Sequence, residues 1–220
     1  CGSDEAEHRL PGGLASEPLR NAAGGDGPRF RALGPESGFA FTNRLQKENT
    51  YTYLTNGAGL AAGDYDGDGL VDLYLVSQDG PNQLFRQHAV RQWTNVTVAA
   101  GNVDGGDAWG TGATFVDIDS DGDLDLYVCN MEAKNRLYVN QGDGTFREDA
   151  ARFGLDVAAA STMAAFADYD RDGKLDLFLL TNRALHPELA RTGEVVVAMR
   201  PGKDTARSLT AMLPDRKSVV

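Results

Sequence analysis

A nine-residue acidic loop occurs three times in the chain and constrains its fold more than any other feature. "DYDGDGLVD" begins at Asp64, "DIDSDGDLD" at Asp117 and "DYDRDGKLD" at Asp168, so the copies start 53 and 51 residues apart. Each loop runs directly into a short alternating segment, "DLYLVS", "DLYVCN" or "DLFLLT". Alternation with period two reads as a strand whose side chains point to opposite faces in turn. Carboxylates crowded this closely repel one another, so the loop calls for a cation or for full solvation.

The repeat extends beyond the loops. An aromatic residue is followed eight positions later by glycine in "FRALGPESG" (from Phe30), "WTNVTVAAG" (from Trp93) and "FREDAARFG" (from Phe146). After the first two apolar segments comes Asn-x-Leu-aromatic, "NQLF" at Asn82 and "NRLY" at Asn135, and a hairpin signal, "GDGT", follows at Gly142. About four short strands per unit of roughly 50 residues is the pattern of a β-propeller blade. The expected fold is therefore all-β, three to four four-stranded blades of a larger propeller. Blade one is expected over residues 59–101, blade two over 110–154 and blade three from Ser161 onward. Phe30–Thr42 is expected to be the outer strand of a preceding blade. Small residues before each loop suit innermost strands, where blades crowd together.

Each loop fits D-x-D-x-D-G-x-x-D. Positions 1, 3, 5 and 9 are Asp64, Asp66, Asp68 and Asp72 in the first copy; Asp117, Asp119, Asp121 and Asp125 in the second; Asp168, Asp170, Asp172 and Asp176 in the third. Oxygen-only donors suit a hard cation, and Ca²⁺ takes about six to eight oxygens. The main-chain carbonyl at position 7 (Leu70, Asp123, Lys174) is a further expected ligand, and a carbonyl tolerates any side chain. An EF-hand would carry Glu at position 12 between helices. Position 12 here is Leu75, Val128 and Leu179, each inside a strand pattern, so the loop is EF-hand-like but set in a hairpin. Three Ca²⁺ sites are expected; Mg²⁺, which demands stricter octahedral geometry, fits less well. The alternative is an acidic solvated turn without metal.

On "GAGLAAGDYDGDGLVDLYLV", "NRLYVNQGDGTFRE" and "STMAAFADYDRDGKLDLFLL", the chain resembles the FG-GAP/VCBS repeat family, whose propellers include the integrin α-subunit head. It is closer still to the cartilage-acidic-protein-like branch, whose bacterial members often end in an ASPIC/UnbV domain. The resemblance covers Phe30 to Asn182 and implies that the twelve aspartates at positions 1, 3, 5 and 9 are calcium ligands. After Asn182 the expected Asn-x-Leu-Tyr and Gly-Asp-Gly-Thr elements are missing, and "EVVVAM" from Glu194 is expected to be a displaced strand.

The formal net charge is −11, and the three loops account for all of it with thirteen aspartates, Arg171 and Lys174. That balance disfavours a nucleic-acid partner, which rewards clustered Lys and Arg, and none is expected. No apolar run is long enough to span a membrane. His8, His88 and His186 share no motif, and no nucleophile elbow, zinc-protease helix or phosphate-binding loop is present. The chain is therefore not expected to be an enzyme. Two functional classes stay open. One is an extracytoplasmic binding, adhesion or scaffold module for a protein or carbohydrate ligand. The other is the non-catalytic propeller portion of a secreted lyase or hydrolase.

Residues 1–29, with six glycines and three prolines, read as a flexible tether, residues 30–200 as a partial propeller and 201–220 as a tail. A chain that begins Cys-Gly-Ser before a polar linker resembles a bacterial lipoprotein after signal-peptide removal. That implies a lipid on Cys1 and attachment at a bacterial membrane surface; the alternative is that a fragment starts there. Cys129 is expected to be a small buried hydrophobe, not a disulfide partner of Cys1. The chain is expected to continue beyond Val220, with residues 215–220 back-translating to sequencing-adapter sequence.

Overall fold

The computed structural model describes residues 32–43 and 58–181, together with the backbone of 196–199 and 207–208. The described residues from Leu33 onward belong to one unit. Its strands are β1 (Leu60–Gly63), β2 (Asp72–Leu75), β3 (Gln83–Ala89), β4 (Gln92–Asn95), β5 (Gly110–Val116), β6 (Asp125–Asn130), β7 (Ala133–Lys134), β8 (Arg136–Asn140), β9 (Phe146–Glu148), β10 (Ala158–Ala159), β11 (Ser161–Ala167), β12 (Asp176–Thr181), β13 (Val196–Met199) and β14 (Arg207–Ser208). Helix among the described residues is limited to α1 (Ala150–Phe153) and a 3-10 turn at Pro35–Ser37.

Three antiparallel four-stranded sheets result, with strand orders β1-β2-β3-β4, β5-β6-β8-β9 and β11-β12-β13-β14. Each is a simple meander, the form of a propeller blade. The expected blade boundaries hold, and the strand expected after Glu194 is β13, paired antiparallel with β12. β7 and β10 pair with each other as a small bridge that no sequence pattern announced.

The central strand β6 shows why "DLYVCN" is apolar from Leu126 to Cys129, with side chains for both faces. All six of its residues are buried. Leu126 and Val128 pack with Tyr74, Val76, Leu84, Tyr138 and Phe146 between the first and second sheets. Tyr127 and Cys129 pack with Leu137, Leu155, Leu177 and Leu179 between the second and third. A sheet covered on both faces needs apolar side chains on both, at about 1.5–3 kcal/mol for each large one buried. Cys129 is a free, buried thiol, as expected, and burial pushes its pKa up to about 12.

The inner strands explain the small residues that precede each acidic loop. A Cβ on Gly59 would stand 2.6 Å from the Cα of Gly112, and a Cβ on Gly112 would stand 2.6 Å from the Thr162 carbonyl oxygen. Backbones of successive sheets approach too closely here for a side chain. Polar stitches complete the contact: the Thr111 hydroxyl donates to the Ser161 carbonyl at 2.7 Å and the Thr114 hydroxyl to the Ala164 carbonyl at 3.0 Å.

The aromatic-to-glycine repeat is a second inter-sheet device. Gly101 ends the turn after β4, at φ +94°, and a methyl group there would run into the Phe146 carbonyl oxygen in β9 of the next sheet. The Phe146 N–H donates to the Ala100 carbonyl at 2.9 Å. Gly38 meets Trp93 of β4 in the same way. Phe30–Thr42 therefore departs from expectation. Phe30 lies outside the described residues, and from Ala32 to Thr42 the chain is irregular around the 3-10 turn rather than a strand. The cause is local. Pro35 starts the turn, the Ser37 N–H donates to the Gly34 carbonyl at 3.0 Å, and left-handed Gly38 ends it.

Candidate metal centres

Each acidic loop joins the first two strands of its sheet, and the three have one hydrogen-bonding scheme. The position-1 carboxylate accepts two main-chain N–H groups from across the loop. Asp64 takes those of Asp68 (3.0 Å) and Gly69 (2.8 Å), Asp117 those of Asp121 and Gly122 (both 3.1 Å), and Asp168 those of Asp172 and Gly173 (both 3.0 Å). The position-5 carboxylates Asp68, Asp121 and Asp172 accept the N–H of Leu70, Asp123 and Lys174, at 2.9, 2.9 and 3.0 Å. Glycine at position 6 carries the turn, with φ of +84°, +99° and +81° at Gly69, Gly122 and Gly173.

The position-9 carboxylate opens the second strand and ties the loop back to the sheet. Asp72 accepts the N–H of Tyr65 (3.1 Å) and of Gln87 on β3 (2.8 Å). Asp125 accepts those of Ile118 (2.8 Å) and Asn140 on β8 (2.7 Å). Asp176 accepts that of Tyr169 at 3.0 Å. Burial pushes Asp72 and Asp125 up to about 6, against the pull of those N–H donors. Burial also raises Asp66 and Asp119, and the negative neighbours Asp121 and Asp117 add to the rise at Asp119.

The geometry brings together positions 1, 3 and 9. Asp64, Asp66 and Asp72 offer oxygens within 4.8 Å of one another, as do Asp117, Asp119 and Asp125, and Asp168, Asp170 and Asp176. An ion holding two ligands at about 2.4 Å keeps them within about 4.8 Å of each other, so each triad has the spacing and the all-oxygen chemistry of a hard-cation site. The position-5 carboxylates lie outside these triads, exposed on the loop, with one oxygen taken by the position-7 N–H. Cys1 lies outside the described residues.

Two contributors were invisible in the loop motif. Arg86, on β3, reaches over the first loop, its Nε 2.5 Å from Asp66 Oδ2 and an Nη 3.2 Å from Asp68 Oδ2. Asn140, on the second sheet, donates its side-chain N–H groups to the carbonyls of Tyr65 (2.8 Å) and Leu124 (3.1 Å), gripping the first loop from the neighbouring sheet. The Tyr65 ring also lies against Phe146, centroids 5.2 Å apart. A separate cleft of about 530 Å³ lies by the β2–β3 connection, lined by Gln78, Asp79, Pro81, Asp104, Asp107 and Trp109. Antiparallel pairing puts that connection at the opposite end of β2 from the acidic loop. Of the histidines, only His88 is described, exposed on β3 with Thr94 beside it.

Antiparallel meanders stacked through their inner strands, each opening on an acidic loop of one geometry, define an all-β repeat protein of the propeller class. The chain belongs to the FG-GAP-like repeat family: that repeat matches residues 64–128 and again 117–179, more than half of the 220 residues. The two matches overlap across the second loop and β6, so each runs from one acidic loop to the strand behind the next. Cartilage acidic protein 1 of Homo sapiens is 27% identical over 128 residues, that of Mus musculus 28% and that of Xenopus tropicalis 27%. Each match spans 56% of this chain and 19% of the relative's length. Among the described residues no helix is long and apolar enough to cross a membrane.

Proposed function

We propose that the chain is a calcium-stabilised, extracytoplasmic propeller module that presents its loops to a protein or carbohydrate ligand and has no catalytic role. The observation that carries this reading is the threefold recurrence of one triad geometry, with the same carboxylates accepting the same loop N–H groups. The convergence of three carboxylates within one ion's reach in every copy favours a shared cation over a merely solvated turn. In each loop the ligands are the carboxylates at positions 1, 3, 5 and 9 and the carbonyl at position 7. Bound Ca²⁺ converts mutual repulsion into attraction. The relatives, named for cartilage and for acidity, support an extracellular setting, where calcium is plentiful. The cleft formed by the connecting loops beside Trp109, at the opposite end of β2 from the acidic loop, suits ligand contact, with an aromatic side chain and several acceptors in its lining.

A thermal melt in 10 mM Ca²⁺, against excess EGTA with Mg²⁺ as control, tests the calcium reading. Extracellular modules bind with Kd of about 10⁻⁴–10⁻³ M, so each site should contribute about 1.4–2.7 kcal/mol at this concentration. A large rise in Tm specific to Ca²⁺ is expected. A cooperative melt unmoved by Ca²⁺ would return the loops to solvated turns.

A further inference from the structure

We infer that Arg86 is a built-in counter-ion of the first acidic loop, occupying the carboxylates that Ca²⁺ would use and making that site the harder of the first two to fill. The inference rests on the calcium reading above. Arg86 Nε and Nη contact Oδ2 of Asp66 and Oδ2 of Asp68 at 2.5 and 3.2 Å. The other Asp68 oxygen already accepts the Leu70 N–H, so both oxygens of that carboxylate are engaged. Asp66 belongs to the triad that the geometry offers to an ion. A guanidinium is planar, always charged and matched to paired carboxylates, so it serves well as a substitute cation.

The second loop lacks this device. Its register shows why: the strand next to β6 is β8, where Asn140 holds the place of Gln87, donating its N–H to the position-9 carboxylate. The residue before Gln87 is Arg86; the residue before Asn140 is Val139. Among the described residues no Lys or Arg pairs with Asp117, Asp119, Asp121, Asp123 or Asp125. The second loop thus sets five carboxylates against no cation, and the first sets four against one. Calcium affinity in such loops follows the charge the ligands present. Filling the first site requires Arg86 to release Asp66 and Asp68, and its side chain, 46% exposed, has solvent to move into.

Hydrogen exchange followed by mass spectrometry reads each loop separately, in peptides covering residues 64–75 and 117–128, as free Ca²⁺ is raised. In the wild type the second loop should gain protection at lower Ca²⁺ than the first. In Arg86→Gln the midpoint of the first loop should fall about tenfold while the second stays in place. Arg86→Lys, which keeps a charge but loses the fork, should fall between. A first-loop midpoint unmoved in Arg86→Gln would overturn the proposal, as would one shifted to higher Ca²⁺, which would make Arg86 an organiser of the ligands. Absence of Ca²⁺-dependent protection in every loop of every variant would overturn the calcium reading itself, and the proposal with it.

Discussion

Replacing Gly101 with alanine tests the joint between the first two sheets. Two costs arise at this position. At φ +94° an L-residue is in the left-handed region, at about 1–2 kcal/mol. The added methyl also collides with the main-chain oxygen of Phe146, which cannot rotate away as a side chain would. Such overpacking costs about 1–3 kcal/mol. Gly154 is an internal control. It ends the equivalent turn after β9, at φ +69°, yet has no heavy atom within 4 Å of the added carbon. Gly154→Ala should therefore cost about 1–2 kcal/mol and Gly101→Ala about 2–5 kcal/mol. Urea denaturation in millimolar Ca²⁺, followed by Trp fluorescence, measures both. The expected result is a lower midpoint for Gly101→Ala at an unchanged m-value. Equal midpoints for the two variants would refute the close approach of the turn to β9, and with it the reading of the aromatic-to-glycine repeat as an inter-sheet lock.

Asn140→Ala removes two donors from the Tyr65 and Leu124 carbonyls and should cost about 1–3 kcal/mol. Faster hydrogen exchange in the first acidic loop, 75 residues away in sequence, would mark the loss; unchanged exchange there would show that the grip contributes nothing. Cys129, with its thiol raised to about 12 by burial, should resist iodoacetamide at pH 8 in the folded protein and react only as the chain unfolds. Native-state alkylation of the Cys129 peptide at the rate of an exposed thiol would place it at the surface.

The parts of this structure that were readable in the sequence are those set by local patterns. D-x-D-x-D-G-x-x-D marks the end of one strand and the start of the next, and so sets the phase of each sheet. The "DLYVCN" segment marks a strand, but that both its faces are covered, with β6 buried along its whole length, is set by the sheets on either side and not by the alternation. The stretch after Phe30 is not a strand because the Gly34-Pro35 bend interrupts it, a feature that the aromatic-to-glycine spacing does not carry. β7 and β10, two residues each, are too short to show a period. Arg86 and Asn140 were out of reach for another reason. Their contacts with the first loop follow from strand register and sheet stacking, and no spacing along the chain encodes either. The position-5 carboxylates illustrate the same limit: the motif treats four aspartates alike, and only the folded loop shows that positions 1, 3 and 9 converge while position 5 also accepts the position-7 N–H.

The grip of Asn140 and Phe146 on Tyr65 gives the first loop a role in stiffness. Tyr65 sits between two triad members in the chain, and its carbonyl and ring are both held by the neighbouring sheet. An ion seated by Asp64, Asp66 and Asp72 would therefore brace a seam as well as a turn. If it leaves, the loop slackens and the second sheet can tilt against the first before either loses a strand. On the proposed calcium-binding reading, bending rigidity along the row of sheets would follow the calcium concentration around the protein, and a load applied to it would be felt first at the seam whose ion is held most weakly.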